Sequence, residues 1–229
     1  MFIYKMNNLY YITVATKPHE ILDRIKHRVE RQNEKIIVLG EQEDRPIGWN
    51  SVGNFGVKLR EVRDFLLRPE IVDQDIILFS DAYDVIYQGD FDEIVARFLE
   101  FSKPLVFGCE TTCNPIPSYE KYYQFKSCEF PYLNSGLFIG RAWALRKCFI
   151  GYQYNDRDDD QGFWTVQFLD KNKDLFVLDY HNRIFLNTYG IDLSLVKQDG
   201  GKFNYKGAVS SFIHVNGPDK NELNFFVQN

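Results

Sequence analysis

The chain has 229 residues, 45% of them hydrophobic and 26% charged, with a formal net charge of −5 at pH 7. That length and apolar share suffice for a sizeable core in one large domain. The acidic balance, without a long basic run, argues against a nucleic-acid partner, whose phosphates demand a basic footprint.

In chain order, Leu9 to Ala15 is β-branched and aromatic and predicts the first strand, broken by Thr16-Lys17-Pro18-His19. Ile21, Leu22, Ile25 and Val29 fall on one face of a helix from Glu20 to Gln32. Ile36 to Leu39 follows as a second strand, stopped by Gly40. This β-α-β opening predicts a parallel pair with a right-handed crossover. The polar, glycine-bearing stretch Glu41 to Gly56, with Trp49, is expected to loop over the strand ends, and Val57 to Leu67 returns to helical spacing before Pro69.

The segment Asp75 to Gly89, DIILFSDAYDVIYQG, concentrates the chemistry. Ile76 to Phe79 is an apolar run bounded by polar residues, which suits a strand buried on both faces of a parallel sheet. Asp81 and Asp84 come next, before a second apolar patch, Val85 to Tyr87. Carboxylates among apolar neighbours need positive compensation. At this spacing they cannot face one point from a straight strand. A tight turn at Ala82-Tyr83 lets them converge, and such a pair suits a hard divalent cation such as Mn²⁺ or Mg²⁺. The alternative is a capping Asp81 and a solvated Asp84.

Phe91 to Phe101 reads as an amphipathic helix and Leu105 to Phe107 as another strand. Strands alternating with helices imply an α/β architecture with a mostly parallel sheet. Thr111 to Phe130 is expected to be a long surface loop with some helix, Tyr132 to Gly140 a strand, and Ala142 to Tyr152 and Gln161 to Leu169 helices. The acidic run Asp158-Asp159-Asp160 stands where acids favour a helix dipole and cap free N–H groups. Asp160 is the expected cap, and a cap requires only one of the three. Leu175 to Leu178 and Ser211 to Val215 complete the strands. His214, near the end of the latter, is well placed for a ligand beyond parallel strand ends. Lys58 and Lys220 each suit a phosphate as a point charge. No internal repeat or linker divides the chain, so one domain over residues 1–229 is expected.

Cys109, Cys113, Cys128 and Cys148 lack a zinc-ligand spacing and read as free thiols. No P-loop and no GxGxxG after the first strand is present, which argues against NTPase and dehydrogenase readings, and no GxSxG nucleophile elbow occurs, although a metal-dependent sugar-nucleotide hydrolase stays open. No apolar stretch approaches membrane-spanning length. The opening MFIYKMNNLYYITVAT lacks a continuous apolar h-region, so a soluble, cytoplasmic protein without a signal peptide is expected.

Four segments occur in order: Phe79 to Ile86 (FSDAYDVI), Leu133 to Gly140 (LNSGLFIG), Asp158 to Gln161 (DDDQ) and His214 to Pro218 (HVNGP). Together they resemble the glycosyltransferase domain of the procollagen lysyl hydroxylase family, from about Leu9 to Phe226. The resemblance implies a GT-A type, Rossmann-like fold. It implies an Mn²⁺-dependent enzyme with retaining chemistry that moves glucose from UDP-glucose to galactosyl-hydroxylysine of collagen or a collagen-like polypeptide. Galactosyl or glucosyl transfer to hydroxylysine, or a silent UDP- or collagen-binding domain, stays open. Carried over by motif, Asp81, Asp84 and His214 would hold the metal, and Val14, Thr16 and Tyr83 the uridine. Asn216, Gly217 and Lys220 would meet the diphosphate, with Lys58 near the sugar. Asn134, Asp159 and Asp160 would face the transferred sugar and acceptor. Where that family commonly has Cys-Trp-Pro, this chain has Cys113-Asn114-Pro115. No His-x-Asp iron motif of the hydroxylase half occurs in these residues, and the family itself works in the endoplasmic reticulum lumen.

Overall fold

A computed structural model describes residues 8–48, 53–125 and 127–227. Strand β1 (Leu9–Val14) and β2 (Ile36–Leu39) flank helix α1 (Glu20–Glu30). The helix starts where His19 Nδ1 accepts a hydrogen bond from the Ile21 N–H at 3.2 Å, and it buries Ile21, Leu22, Ile25 and Val29. Helix α2 (Gly56–Leu66) precedes β3 (Ile76–Ser80) and the short β4 (Val85–Tyr87). Helix α3 (Phe91–Leu99), capped by Asp90, leads to β5 (Leu105–Glu110), β6 (Tyr132–Arg141) and helix α4 (Ala142–Cys148). After helix α5 (Asp160–Val166) come β7 (Phe176–Leu178), β8 (Phe185–Asn187), the hairpin β9 (Val196–Asp199) and β10 (Lys202–Tyr205), β11 (Phe212–His214), and helix α6 (Leu223–Val227).

The central sheet has six strands in the order β2-β1-β3-β6-β5-β7. Every neighbouring pair is parallel except the two that β6 makes with β3 and β5. The layout is thus the mixed α/β, mostly parallel arrangement expected. A second sheet, β4-β11-β8, packs beside it. Its approach needs Gly108, where β5 carries a bulge: a Cβ there would lie 2.9 Å from Asn187 Nδ2 and 3.3 Å from Phe185 Cβ. On one face of the central sheet, Phe138 stacks on its cross-strand partners Phe79 and Phe107, with ring centroids at 4.7 and 4.9 Å. Trp164 of α5 closes this cluster at 5.1 Å from Phe107 and 5.4 Å from Phe138. The helix carrying the acidic run is thereby pinned to the middle of the sheet.

Several elements differ from their sequence signals. Strand β5 continues past Phe107 to Glu110, because the bulge at Gly108 lets a polar tail stay in the ladder. Helix α4 stops at Cys148 rather than Tyr152, and Gly151 beyond it takes a left-handed φ of 76°. Helix α5 passes into a π-helical turn, Gln167–Lys171, closed by Asn172 N–H donating to Gln167 O at 2.9 Å. The strands β4, β8, β9 and β10 carry no long apolar run, and their pairing comes from tertiary contacts. The Trp49 part of the expected loop lies outside the described residues.

Phe138 makes two stacked contacts and one with Trp164 while only 1% exposed, so Phe138→Ala should cost about 3–5 kcal/mol. Urea unfolding measures this, and a loss below about 1 kcal/mol would mean that the cluster does not organise the sheet.

Candidate active site

The turn after β3 sets the site. Backbone bonds hold it from both sides: Asp81 N–H donates to Gly136 O at 2.8 Å and Val215 N–H to Asp84 O at 2.8 Å. The 81–84 turn therefore hangs between β6 and the end of β11, and through it Asp81 and Asp84 converge. His214 joins them. Its Nε2 lies 3.3 Å from Asp84 Oδ1 and 3.7 Å from Asp81 Oδ2. One ligand atom from each of the three falls within 4.8 Å of the others.

The orientation of His214 is fixed from behind. Asn187 Nδ2 donates to Cys109 O at 3.0 Å, so Asn187 Oδ1 is the atom that faces His214 Nδ1 at 2.8 Å. An acceptor there calls for a proton on Nδ1 and turns Nε2 toward the carboxylates. Gly136 makes room for the group: a Cβ on it would lie 2.3 Å from His214 Cε1 and 2.8 Å from Asp81 Oδ2. Asp81 Oδ1 is buried and 2.6 Å from Lys58 Nζ, but poorly aligned for a hydrogen bond. A buried imidazole whose Nε2 faces two converging carboxylates is a donor set that fits a hard divalent cation.

Two lysines balance the acids. Lys58, from α2, reaches Asp81 and also Asp160 Oδ2 at 3.4 Å. Burial would lower its pKa, but the charges of Asp160 and Asp81 outweigh that and hold it well above the ordinary lysine value. Lys220 Nζ sits 2.6 Å from Asp84 Oδ2 and 2.7 Å from Val215 O. Burial would raise the Asp84 carboxyl, yet His214 and Lys220 together hold it well below the usual carboxylate range.

The acidic run divides by role. Asp159, not the expected Asp160, caps α5, accepting from Gly162 N–H at 2.6 Å. The correction follows from the helix starting one residue earlier than its apolar pattern suggests. Asp158 accepts from the Tyr152 hydroxyl at 2.9 Å. Asp160 alone turns inward, 6% exposed, with Oδ2 accepting from Ser135 Oγ at 2.9 Å beside Lys58. Further out, Arg45 clamps Asp156 with two bonds of 2.7 and 2.6 Å. These tie the loop after β2 to the segment that carries the run, and hold the Asp156 carboxyl down at about 2.

The other expected residues line the same edge. Tyr83 Oη accepts from Thr16 N–H at 2.9 Å and from Lys17 N–H at 3.0 Å, beside the end of β1 where Val14 is buried. Thr16 Oγ1 is buried without a partner. Asn134 Oδ1 accepts from Gly136 N–H at 2.9 Å. Asn216 Nδ2 donates to Glu110 Oε2 at 2.7 Å, and its Oδ1 accepts from Tyr189 N–H at 2.9 Å. Gly217 has φ 97°, and a Cβ there would lie 2.4 Å from the Tyr189 ring.

Sequence reasoning missed Glu110, Ser135, Gly136, Gln161 and Asn187 as site residues. Glu110 is 2% exposed and takes hydrogen bonds from Gln161 and Asn216 at 2.6 and 2.7 Å, yet burial outweighs these and pushes its pKa up to about 7. The available signal was a glutamate three residues after the apolar run Leu105 to Phe107, which by itself does not separate a strand end from a loop.

A family model described as the PLOD GT domain matches residues 5–229. The chain belongs to the PLOD GT domain family. Relatives of this PLOD GT domain include the bovine procollagen-lysine,2-oxoglutarate 5-dioxygenase 1, 34% identical over 96% of this chain. A multifunctional procollagen lysine hydroxylase and glycosyltransferase of Caenorhabditis elegans is 33% identical over 95% of it. The PLOD GT domain chain spans 31% of the length of each of these two. Among solved structures, that of a mycobacterial protein covers 76% of this chain and 65% of its own, at 11% identity and a TM-score of 0.43. Among the described residues no helix is long and apolar enough to cross a membrane.

Two outcomes test this geometry. Gly136→Ala should destabilise by about 1–3 kcal/mol, because the added methyl overpacks His214 and Asp81; a thermal melt equal to wild type would contradict the packing. Glu110 binds its proton more tightly folded than unfolded, so its contribution to stability is fully present below pH 4.5 and is lost as pH rises through about 7. The amplitude is about 3 kcal/mol. Glu110→Gln should flatten that fall in urea titrations between pH 5 and 7.5, and an unchanged slope would place the proton elsewhere.

Proposed function

We propose that this chain is an Mn²⁺-dependent glycosyltransferase that moves glucose from UDP-glucose to galactosyl-hydroxylysine of collagen or a collagen-like polypeptide, with retention. The observation that carries the reading is the convergence of Asp81, Asp84 and His214 on one sheet edge, in a chain of the PLOD GT domain family. The C. elegans relative is itself named a lysine hydroxylase and glycosyltransferase.

Asp81, Asp84 and His214 would hold the cation, which when bound supplies charge neutralisation for a departing diphosphate. Lys220 lies beside Asp84 and is placed to meet the diphosphate, with Asn216 and Gly217 in the same loop. Tyr83, Val14 and Thr16 would form the flat side of a uridine site, with Tyr83 Oη holding the Thr16 and Lys17 N–H groups. Lys58 stands between Asp81 and Asp160 and so points at the space between metal and acceptor. Asp160 is the carboxylate left to steady positive charge at the sugar or to orient the acceptor hydroxyl, since Asp159 is occupied as a cap. Asn134 shapes the floor by holding Gly136 N–H. Front-face attack fits better than a covalent intermediate. Asp160 is engaged by Ser135 and neighboured by Lys58, which lowers its nucleophilicity.

UDP release from UDP-glucose, measured with Mn²⁺ and with or without galactosyl-hydroxylysine peptide, tests the reading. Acceptor-stimulated release supports it, whereas hydroxylysine accepting far better than its galactosylated form would overturn the acceptor. Asp81→Ala should lower transfer by several orders of magnitude while the protein stays folded. Asp160→Asn should keep UDP and Mn²⁺ binding but lose about two powers of ten in transfer. Asp159→Asn should remain within about tenfold of wild type, as asparagine also caps helices. Equal losses in both variants would refute the division of roles.

A further inference from the structure

Helix α1 presents a row of cations that the site does not use. Arg24, His27, Arg28 and Arg31 are exposed and, with Gln32, line a surface recess of about 460 Å³. Their spacing puts Arg24, Arg28 and Arg31 on one face over about 10 Å of helix axis. Between Arg24 and Lys35 stand five cations, Arg24, Lys26, Arg28, Arg31 and Lys35, against Glu30 and Glu34. Glu34 is turned inward, accepting from the Tyr87 hydroxyl at 2.9 Å and Phe91 N–H at 2.6 Å. Elsewhere Arg45, Arg60, Arg63, Arg97, Arg146 and Arg183 each meet a carboxylate within 4.0 Å. Among the described residues, the salt bridges include none from Arg24, Arg28 or Arg31. In a chain of net charge −5, such a row is a local excess of positive charge, which suits an anion.

The chemistry of the face narrows the anion. Every apolar side chain of α1 that is buried points at the core, namely Ile21, Leu22, Ile25 and Val29. The outer face offers no aliphatic or aromatic anchor. Folded protein partners favour aromatic anchors at the centre of an interface, insertion into a bilayer needs an apolar face, and single-stranded nucleic acid stacks on aromatic platforms. A hydrophilic polyanion requires none of them. The cations aligned on the face are arginines, whose weakly hydrated forks pair two-pronged with oxyanions. Sulfate esters are themselves weakly hydrated single charges repeated along a stiff chain.

We propose that the α1 row binds a linear sulfated polysaccharide. The row begins about one turn beyond His19, whose ring lies 5.0 Å from that of Tyr83, and α1 then runs back between the parallel strands β1 and β2, so a bound chain would lead away from the site edge.

Heparin serves as the probe. Wild type should be retained on heparin–agarose at low salt and released by sodium chloride. The variant Arg24→Gln/Arg28→Gln/Arg31→Gln should pass in the wash and bind soluble heparin at least tenfold more weakly. Lys147→Gln/Lys171→Gln/Lys173→Gln removes the same charge from other exposed positions and should elute with wild type. Circular dichroism confirms that both variants are folded, and UDP-glucose turnover in the arginine variant should equal wild type. The proposal fails if wild type is not retained, if the arginine variant elutes with it, or if the lysine variant shifts as far. It fails equally if polyglutamate or anionic phospholipid vesicles bind more tightly than heparin through the same arginines.

Discussion

The crowding of carboxylates at one edge of the sheet is the constraint around which the rest is arranged. Asp81, Asp84 and Asp160 lie at most 18% exposed by side chain, within reach of two lysines and one imidazole. Left without positive partners, such acids would be costly to fold around. Lys58 from α2 and Lys220 from the C-terminal loop supply the compensation, and each comes from a different part of the chain. Folding the site therefore means docking α2, α5, β6 and β11 on the end of β3 together.

That dependence explains where glycine is required. Gly136 leaves space for His214 and Asp81 to meet, and Gly108 lets β8 bring Asn187 behind His214. At Gly56 a Cβ would lie 1.9 Å from Asn155 O, so the first turn of α2 could not dock on the segment before the acidic run. Three close approaches of backbone or side chain, at distant positions in sequence, serve one cluster of charges. The aromatic stack of Phe79, Phe138 and Phe107 does the complementary task. It holds the strands and α5 rigid beneath the charged edge, so that the acids converge without each needing its own local constraint.

The chain's own charges hold the acidic edge in place. The two lysines neutralise the edge from its sides, while the buried His214 approaches from β11 with its far nitrogen fixed by Asn187. The amide of Asn187 is in turn fixed by Cys109 O. A line of three groups, none of them acidic, thus decides which nitrogen of His214 faces the carboxylates.

Much was legible in the sequence. The β-α-β opening, the buried run before Asp81, the turn that lets Asp84 converge and the strand carrying His214 all have local signatures, because periodicity and short apolar runs depend on neighbours in sequence. The ordered motifs also pointed to the family. What only the tertiary structure decided is which acid does what. Asp159 and Asp160 are adjacent and chemically identical, and only the docking of α5 by Trp164 onto Phe107 and Phe138 turns one to the helix end and the other to Ser135 and Lys58. Glu110, Gly136 and Asn187 acquire their roles the same way, through contacts between strands far apart in sequence. A bulge, a missing Cβ or a hydrogen bond across sheets leaves no periodic trace along the chain, which is why the sequence alone determines the elements and the fold determines the site.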